Sequence, residues 1–142
     1  MRALTVRQPW AWAIIHGGKS IENRRTLWRY RGQLAIHAGV AKSAAGMRDE
    51  HVRAAWSGKH GPEVDPLSDL ALGAIVGVVD LVDIHRDADC CRPWGMSAYD
   101  GAGGVTHLVL ENPRPVEPIL CTGSLGLWRP DDELLTRLEA AS

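Results

Sequence analysis

The segment Gly17-Gly18-Lys19-Ser20-Ile21-Glu22-Asn23-Arg24 gathers two cations, a carboxylate and an amide into a short stretch. Those groups can hold a phosphate, read the edge of a base or move a proton. In an extended chain, side chains alternate between faces. Ser20, Glu22 and Arg24 then share one face, and Lys19, Ile21 and Asn23 the other, with Ile21 directed to the core. A Glu22–Arg24 ion pair would fix the guanidinium toward a phosphate or a base edge. Lys19 follows two glycines, so the pleat constrains it less, and the spacing leaves open whether Glu22 faces Lys19 or Arg24. Acid–base work by Lys19 and Glu22 needs a free amine at Lys19. A neighbouring carboxylate favours the ammonium instead, unless Glu22 pairs with Arg24. Arg7, Arg25, Arg29 and Arg31 add charge nearby, interleaved with Trp10, Trp12, Trp28 and Tyr30. Cations beside aromatics suit single-stranded nucleic acid, which offers phosphates and stackable bases. Trp10 and Trp12 sit among Ala and Ile and are expected in the core. Trp28 sits among polar residues and is a candidate to line a site.

The charge distribution supports that reading. The chain of 142 residues has a formal net charge of -1, which looks unsuited to a polyanion. Residues 1–59, however, hold eleven basic and three acidic side chains, and residues 60–142 hold five basic and fourteen acidic ones. Two opposed halves cancel, so a confined positive surface is expected rather than a protein coated in positive charge. The balance of 45% apolar and 23% charged residues is that of a globular chain. No apolar run approaches the roughly 18 residues of a membrane span, and no secretory signal is visible. Three cysteines without framework spacing point to a reducing, cytoplasmic setting. Oligomeric state is not legible.

These side chains must be positioned by short elements. Arg2–Val6 reads as a strand, Pro9 as a first helical position, and Trp10–His16 as an apolar helix stopped by Gly17-Gly18. Lys19–Arg24 is extended. Leu34–Ala38 is a strand, and Ala41–Trp56 a helix with Ala45, Val52, Ala55 and Trp56 on one face. Ser57–Leu72, with two Pro and two Gly, is expected as a surface loop. Ala74–Ile84 is the strongest strand, rich in Val but interrupted by Asp80 and Asp83. Asp87–Gly104 reads as loop, and Val105–Leu110 as a strand halted by Asn112-Pro113. Leu125–Trp128 is a last short strand, and Asp131–Ala140 a helix with acids in its first turn. Several short strands with two or three helices, in a single domain over residues 1–142, predict an α+β fold built on a half-open or closed β-barrel.

The pattern GxKxxExR over Gly17–Arg24, preceded by Arg7-Gln8-Pro9-Trp10 and followed by Arg31-Gly32 and Ile36-His37-Ala38, resembles the ASCH family of the PUA-like superfamily. Glu111-Asn112-Pro113-Arg114-Pro115 and Gly126-Leu127-Trp128 resemble that family's closing strands, so the likeness runs over about residues 3–129. It implies a PUA-like β-barrel with a cleft beside the first helix, and a ligand that is RNA, single-stranded nucleic acid or a modified nucleoside. The candidate ligand-binding residues are Arg7, Gln8, Lys19, Glu22, Asn23, Arg24, Trp28, Arg31, His37 and Asp80. Asp80 enters because relatives place a strand beside the cleft there. Some relatives are amidohydrolases acting on N4-acetylcytidine or proposed ribonucleases. In the amidohydrolases a Lys works with a Thr three residues later. Here Lys19 matches the Lys but Glu22 stands at the Thr position, so that mechanism loses its nucleophile. If the chain is an enzyme, Lys19 and Glu22 are its candidate catalytic pair. A binding module is the leading expectation, and an adaptor contacting proteins through its acidic half is a further alternative.

Two features are assigned bland roles. A lone His such as His37 is more often hydrogen-bonded structure than ligand. His85, Cys90, Cys91, His107 and Cys121 match no common zinc spacing, and adjacent cysteines seldom chelate one ion, so no metal and no cofactor are expected.

Overall fold

A computed structural model describes residues 1–61, 70–97 and 104–141. Strand β1 (Arg2–Gln8) leads into helix α1 (Trp10–His16), then strands β2 (Ile21–Arg24) and β3 (Gly32–Lys42). Helices α2 (Ala44–Arg48) and α3 (Glu50–His60) follow, then the long strands β4 (Ala74–Arg86) and β5 (Thr106–Leu120), the short β6 (Leu127–Trp128) and helix α4 (Asp132–Ala141). The six strands form one sheet in the order β2-β5-β4-β3-β1-β6. Among the described residues, only the β1–β3 pairing is parallel. The architecture is the α+β one expected, a curled half-barrel with flanking helices.

The curl comes from β4 and β5. Their pairing slips register at three places along thirteen and fifteen residues, and each irregularity adds bend and twist. One slip explains why Asn112-Pro113 does not halt the strand. Glu111 pairs with Asp80 and Arg114 with Val78, so the intervening residues bulge out, with Asn112 at φ 52. A proline lacking a ladder N–H is tolerated at such a bulge.

Helix α1 plugs the concave side. Its Ile14 and Ile15 pack with Leu4, Leu34, Ile36, Val79, Leu81, Leu108 and Leu110. The convex side carries a second cluster, where Leu134 and Leu138 of α4 cover Ala3, Ala35, Ile75 and Val78. Strand β3 is therefore covered on both faces, and Leu34–Gly39 are all buried, which is why its apolar residues alternate poorly. Trp12, Ala13 and Val52 form a third cluster that seats α3.

The expected helix over Ala41–Trp56 is instead two helices after a longer β3. Ser43 caps α2, its Oγ accepting from the Gly46 N–H at 3.0 Å. Asp49 closes α2 and opens α3, its Oδ1 accepting from the His51 and Val52 amides at 2.9 Å each. Both are capping side chains that favour non-helical backbone at their own position. Helix α3 runs to His60, into the expected loop Ser57–Leu72; residues 62–69 of that loop, and 98–103 of the loop Asp87–Gly104, lie outside the described residues. Pro9 precedes α1 as its cap residue rather than its first residue. Among the described residues, no helix is long and apolar enough to cross a membrane.

The plug depends on close approach at Gly77 in β4, where a Cβ would lie 2.5 Å from Ile15 Cδ1 and 2.8 Å from the Arg114 carbonyl oxygen. The isoleucine tip can rotate, but the carbonyl belongs to the paired strand and cannot. Gly77→Ala is expected to destabilise the fold by about 2 kcal/mol, as overpacking does. Urea unfolding checks this, and an unchanged midpoint would show that α1 is less tightly seated than described.

Candidate functional site

The turn after α1 sets the site's geometry. The Gly17 and Lys19 amides both donate to the Ala13 carbonyl, at 2.9 and 3.0 Å, and Gly18 between them takes φ 77. That left-handed residue ends the helix and reverses the chain, a conformation glycine adopts without steric cost. Lys19 therefore precedes the strand and is free of its alternation. Its side chain turns back over the Glu22 face and is almost fully buried.

Glu22 resolves the open pairing by taking both cations. Its Oε1 accepts from Lys19 Nζ at 3.1 Å, and its Oε2 from Arg24 Nε at 3.0 Å. The Lys19 ammonium also donates to the Ile21 carbonyl and lies 5.5 Å from the centroid of the Trp10 ring. Arg24 donates from its terminal nitrogen to the Thr5 carbonyl at 2.8 Å. Burial alone would raise the Glu22 carboxyl, but the charges and hydrogen bonds of Lys19 and Arg24 outweigh it and hold the group below its ordinary value of 4.5. Glu22 is thus a buried carboxylate with two cationic partners, which leaves one positive charge in excess within the triad.

The triad forms the floor of a cleft of about 690 Å³. Arg7 from β1, Trp10 from α1, and Ser43 and Asp49 from the ends of α2 line one side. Arg92–Met96 line another, and Ser124–Gly126 close it. Among the described residues, four cations and two carboxylates face the space. Arg7 is exposed and is paired to no acid among the described residues. Asn23 ties the Arg92–Met96 wall in place, since its Nδ2 donates to the Trp94 carbonyl at 3.0 Å and its Oδ1 accepts from the Met96 amide at 2.8 Å.

The structure therefore brings Arg7, Lys19, Glu22, Asn23 and Arg24 to one cleft, and places the other expected residues elsewhere. Gln8 is buried beneath α1, its Oε1 accepting from the Trp12 amide at 2.9 Å and its Nε2 donating to the Ala71 carbonyl at 3.1 Å. Trp28 packs against the core inside the curl. Arg31 donates to the Trp28, Tyr30 and Ile84 carbonyls, so its guanidinium is used in holding its own loop to β4. His37 is buried between the Thr5 hydroxyl at 3.2 Å and the Cys121 carbonyl at 2.8 Å. It faces a different hollow, with its ring edge-on to Trp128. Asp80 pairs with Arg114 at 3.1 Å on the β4–β5 ribbon. In these positions each of the five is satisfied by local partners or by packing.

Trp10 departs from expectation in the other direction. Its Nε1 donates to Ser43 Oγ at 3.0 Å, and its ring borders the cleft, whereas Trp12 is in the core as expected. The Arg92–Met96 wall, Ser43, Asp49 and Ser124–Gly126 were missed. They come from loops and helix caps that carry no periodicity, and the capping chemistry of Ser43 and Asp49 was the one usable signal.

The comparisons bear on family and fold. The chain matches the family model for the ASCH domain over residues 4–119. It is 34% identical over 80 residues to the human (Homo sapiens) protein named activating signal cointegrator 1, and 31% identical over 80 residues to the Mus musculus protein of that name. Each alignment takes in 56% of this chain and 14% of the relative, so the chain spans a small part of those proteins. Among solved structures it is similar to the ASCH protein of Zymomonas mobilis, with a TM-score of 0.62 at 16% identity, covering 99% of this chain and 95% of that one. A point mutant of the same protein gives a TM-score of 0.62 with coverage of 99% and 98%. At that identity the likeness is one of fold.

The Glu22 clamp has a pH signature. A carboxyl held below its unfolded value contributes fully above that value, and the contribution is lost as pH falls through the folded value. Glu22→Gln is expected to cost about 3 kcal/mol at neutral pH, as breaking a buried pair does. The gap to the unaltered protein should narrow once the pH drops below the ordinary glutamate value of 4.5. Chemical denaturation of both proteins across that range measures it; a gap independent of pH would contradict the clamp.

Proposed function

We propose, from the premise that this chain belongs to the ASCH domain family of the PUA-like superfamily, that it is a binding module for single-stranded RNA or a modified nucleoside, held in the cleft above the Lys19–Glu22–Arg24 triad. The observation that carries this reading is the shared carboxylate. One anion holds two cations at fixed positions while leaving the cleft electropositive, so an incoming phosphate or base edge meets preorganised donors. The space of about 690 Å³ lies within the usual range of small-ligand sites. Trp10 and Trp94 on its walls offer apolar surface to a base.

The same geometry weighs against hydrolysis through Lys19. Its ammonium is committed to the Ile21 carbonyl, to Glu22 and to the face of Trp10. Removing its proton would leave the buried Glu22 carboxylate with one cation instead of two. The position three residues after the lysine holds that carboxylate and not a hydroxyl.

Fluorescence anisotropy with a labelled single-stranded RNA tests the proposal. Arg7→Ala removes an exposed cation without disturbing the triad, and is expected to weaken binding and lower the salt slope by about 0.7, the value for one single-strand phosphate contact. The pair Lys19→Ala and Arg24→Ala, checked for folding by circular dichroism, should weaken binding further and flatten the slope more. Unchanged affinity and slope in both proteins would refute the assignment. Product released from N4-acetylcytidine or RNA by the unaltered protein, and absent with Lys19→Ala, would replace it with a hydrolase.

A further inference from the structure

Beside the cleft, at the far end of the β4–β5 ribbon, lies a cluster with no part in the triad. His85 and His107 are direct cross-strand partners. Cys90 and Cys91 come from the chain between the two strands, and one donor atom from each of the four residues lies within 4.8 Å of every other. Cys90 Sγ is 3.5 Å from His85 Nε2, 3.6 Å from His107 Nδ1 and 3.7 Å from Cys91 Sγ, and Cys91 Sγ is 3.4 Å from His85 Nε2. A tetrahedral zinc with ordinary Zn–S and Zn–N lengths separates two sulfurs by about 3.8 Å, and a sulfur from a nitrogen by about 3.6 Å. Four edges of the cluster already have those lengths.

Two further observations belong to a metal site rather than to a chance gathering of polar groups. A metal-bound imidazole normally gives its other N–H to an oxygen acceptor, which fixes the tautomer and the ring direction. Here His85 Nδ1 is 2.8 Å from Asp83 Oδ2, and His107 Nε2 is 2.7 Å from the Met96 carbonyl. Both free lone pairs then point at the sulfurs. The second observation is in the backbone. Neighbouring residues of an extended chain point apart, which is the reason adjacent cysteines seldom share an ion. Cys91 takes φ 66, an uncommon conformation for a residue with a Cβ, and this turns its thiol to the same side as that of Cys90. The turn is closed by the Gly95 amide on the Cys91 carbonyl at 2.7 Å. A Cβ on Gly95 would lie 2.8 Å from Cys91 Cβ, so the bend admits only glycine there. The sulfurs are not bonded to each other.

We propose that His85 Nε2, Cys90 Sγ, Cys91 Sγ and His107 Nδ1 bind one tetrahedral transition-metal ion of the zinc class, and that this ion anchors the Arg92–Met96 wall of the cleft. Two thiolates balance a divalent charge, and two imidazoles with two thiolates are the donors zinc favours. Four protein ligands leave no open position, which makes the site structural. It reaches the cleft through Met96, whose carbonyl takes the His107 N–H and whose amide donates to Asn23. The proposal departs from the expectation of no metal drawn from the spacing, because the strand pairing and the left-handed Cys91 supply what the spacing lacks.

Metal analysis of the full chain, purified under reducing conditions without chelator, tests this directly and independently of any RNA result. About one zinc per chain is expected. Cobalt added to the stripped, reduced chain should give the ligand-field and thiolate charge-transfer bands of a tetrahedral two-sulfur site. Cys90→Ser or Cys91→Ser should abolish both signals, while Cys121→Ser, at a distant cysteine, keeps them. Asp83→Asn touches no ligand atom and should weaken zinc about 10-fold or more by competition with a chelating dye. Stripping the metal should speed hydrogen exchange at the Met96 amide. A reduced, folded wild-type chain that takes up no stoichiometric zinc or cobalt, or a Cys121→Ser variant that loses metal as fully as Cys90→Ser, would overturn the site. Uptake without any change at Met96 would overturn the anchoring role.

Discussion

The Glu22 carboxylate, shared between Lys19 and Arg24, is the interaction on which the site depends. It stands on β2, at one edge of the sheet, while β1 lies near the other edge. Arg24 reaches across the open side of the curl to the Thr5 carbonyl, and Glu22 fixes the guanidinium that does so. The triad is therefore both the floor of the cleft and a fastening between two strands that never pair. Two cations around one buried anion are tolerable because Lys19 also has the Ile21 carbonyl and the face of Trp10, and Arg24 the Thr5 carbonyl.

Everything else places these groups. The bulged pairing of β4 with β5 bends the sheet, α1 fills the bend, and the left-handed Gly18 returns the chain so that Lys19 meets Glu22. The cleft walls come from three segments far apart in the chain, the caps of α2, the turn at Arg92–Met96 and the approach to β6. Asn23 joins the second of these to the motif, so a residue inside GxKxxExR acts through a wall that lies more than seventy positions away in the chain.

The elements were legible wherever local chemistry acted alone. Trp10–His16 matches α1 at both ends, because an apolar stretch closed by two glycines admits little else. The Val-rich β4 was equally clear. Errors arose where a neighbour decided the outcome. Strand β5 continues through Asn112-Pro113 because its pairing with β4 resumes on either side of a bulge that holds them, and the helix beginning at Ala41 was shortened because β3 extends beside β1 as far as Lys42. Type and spacing singled out Arg7, Lys19, Glu22, Asn23 and Arg24, and the fold places all five at one cleft. Asp80, Arg31 and His37 carry the same chemistry, but in the folded chain they are spent on Arg114, on carbonyls of their own loop, and on Thr5 with Cys121.

By itself, then, the sequence determined the family, the α+β class, the cation-rich first half and a small set of candidate site residues. These follow from residue type, local spacing and backbone preference, all of which act over a few positions. Only the tertiary structure decided that Glu22 takes both cations, that Trp10 faces the cleft while Trp28 does not, and that His85, Cys90, Cys91 and His107 converge. The reason is physical. A side chain's partners are set by strand register, by the curl of the sheet and by single backbone torsions such as that of Cys91, and those exist only once distant segments have packed.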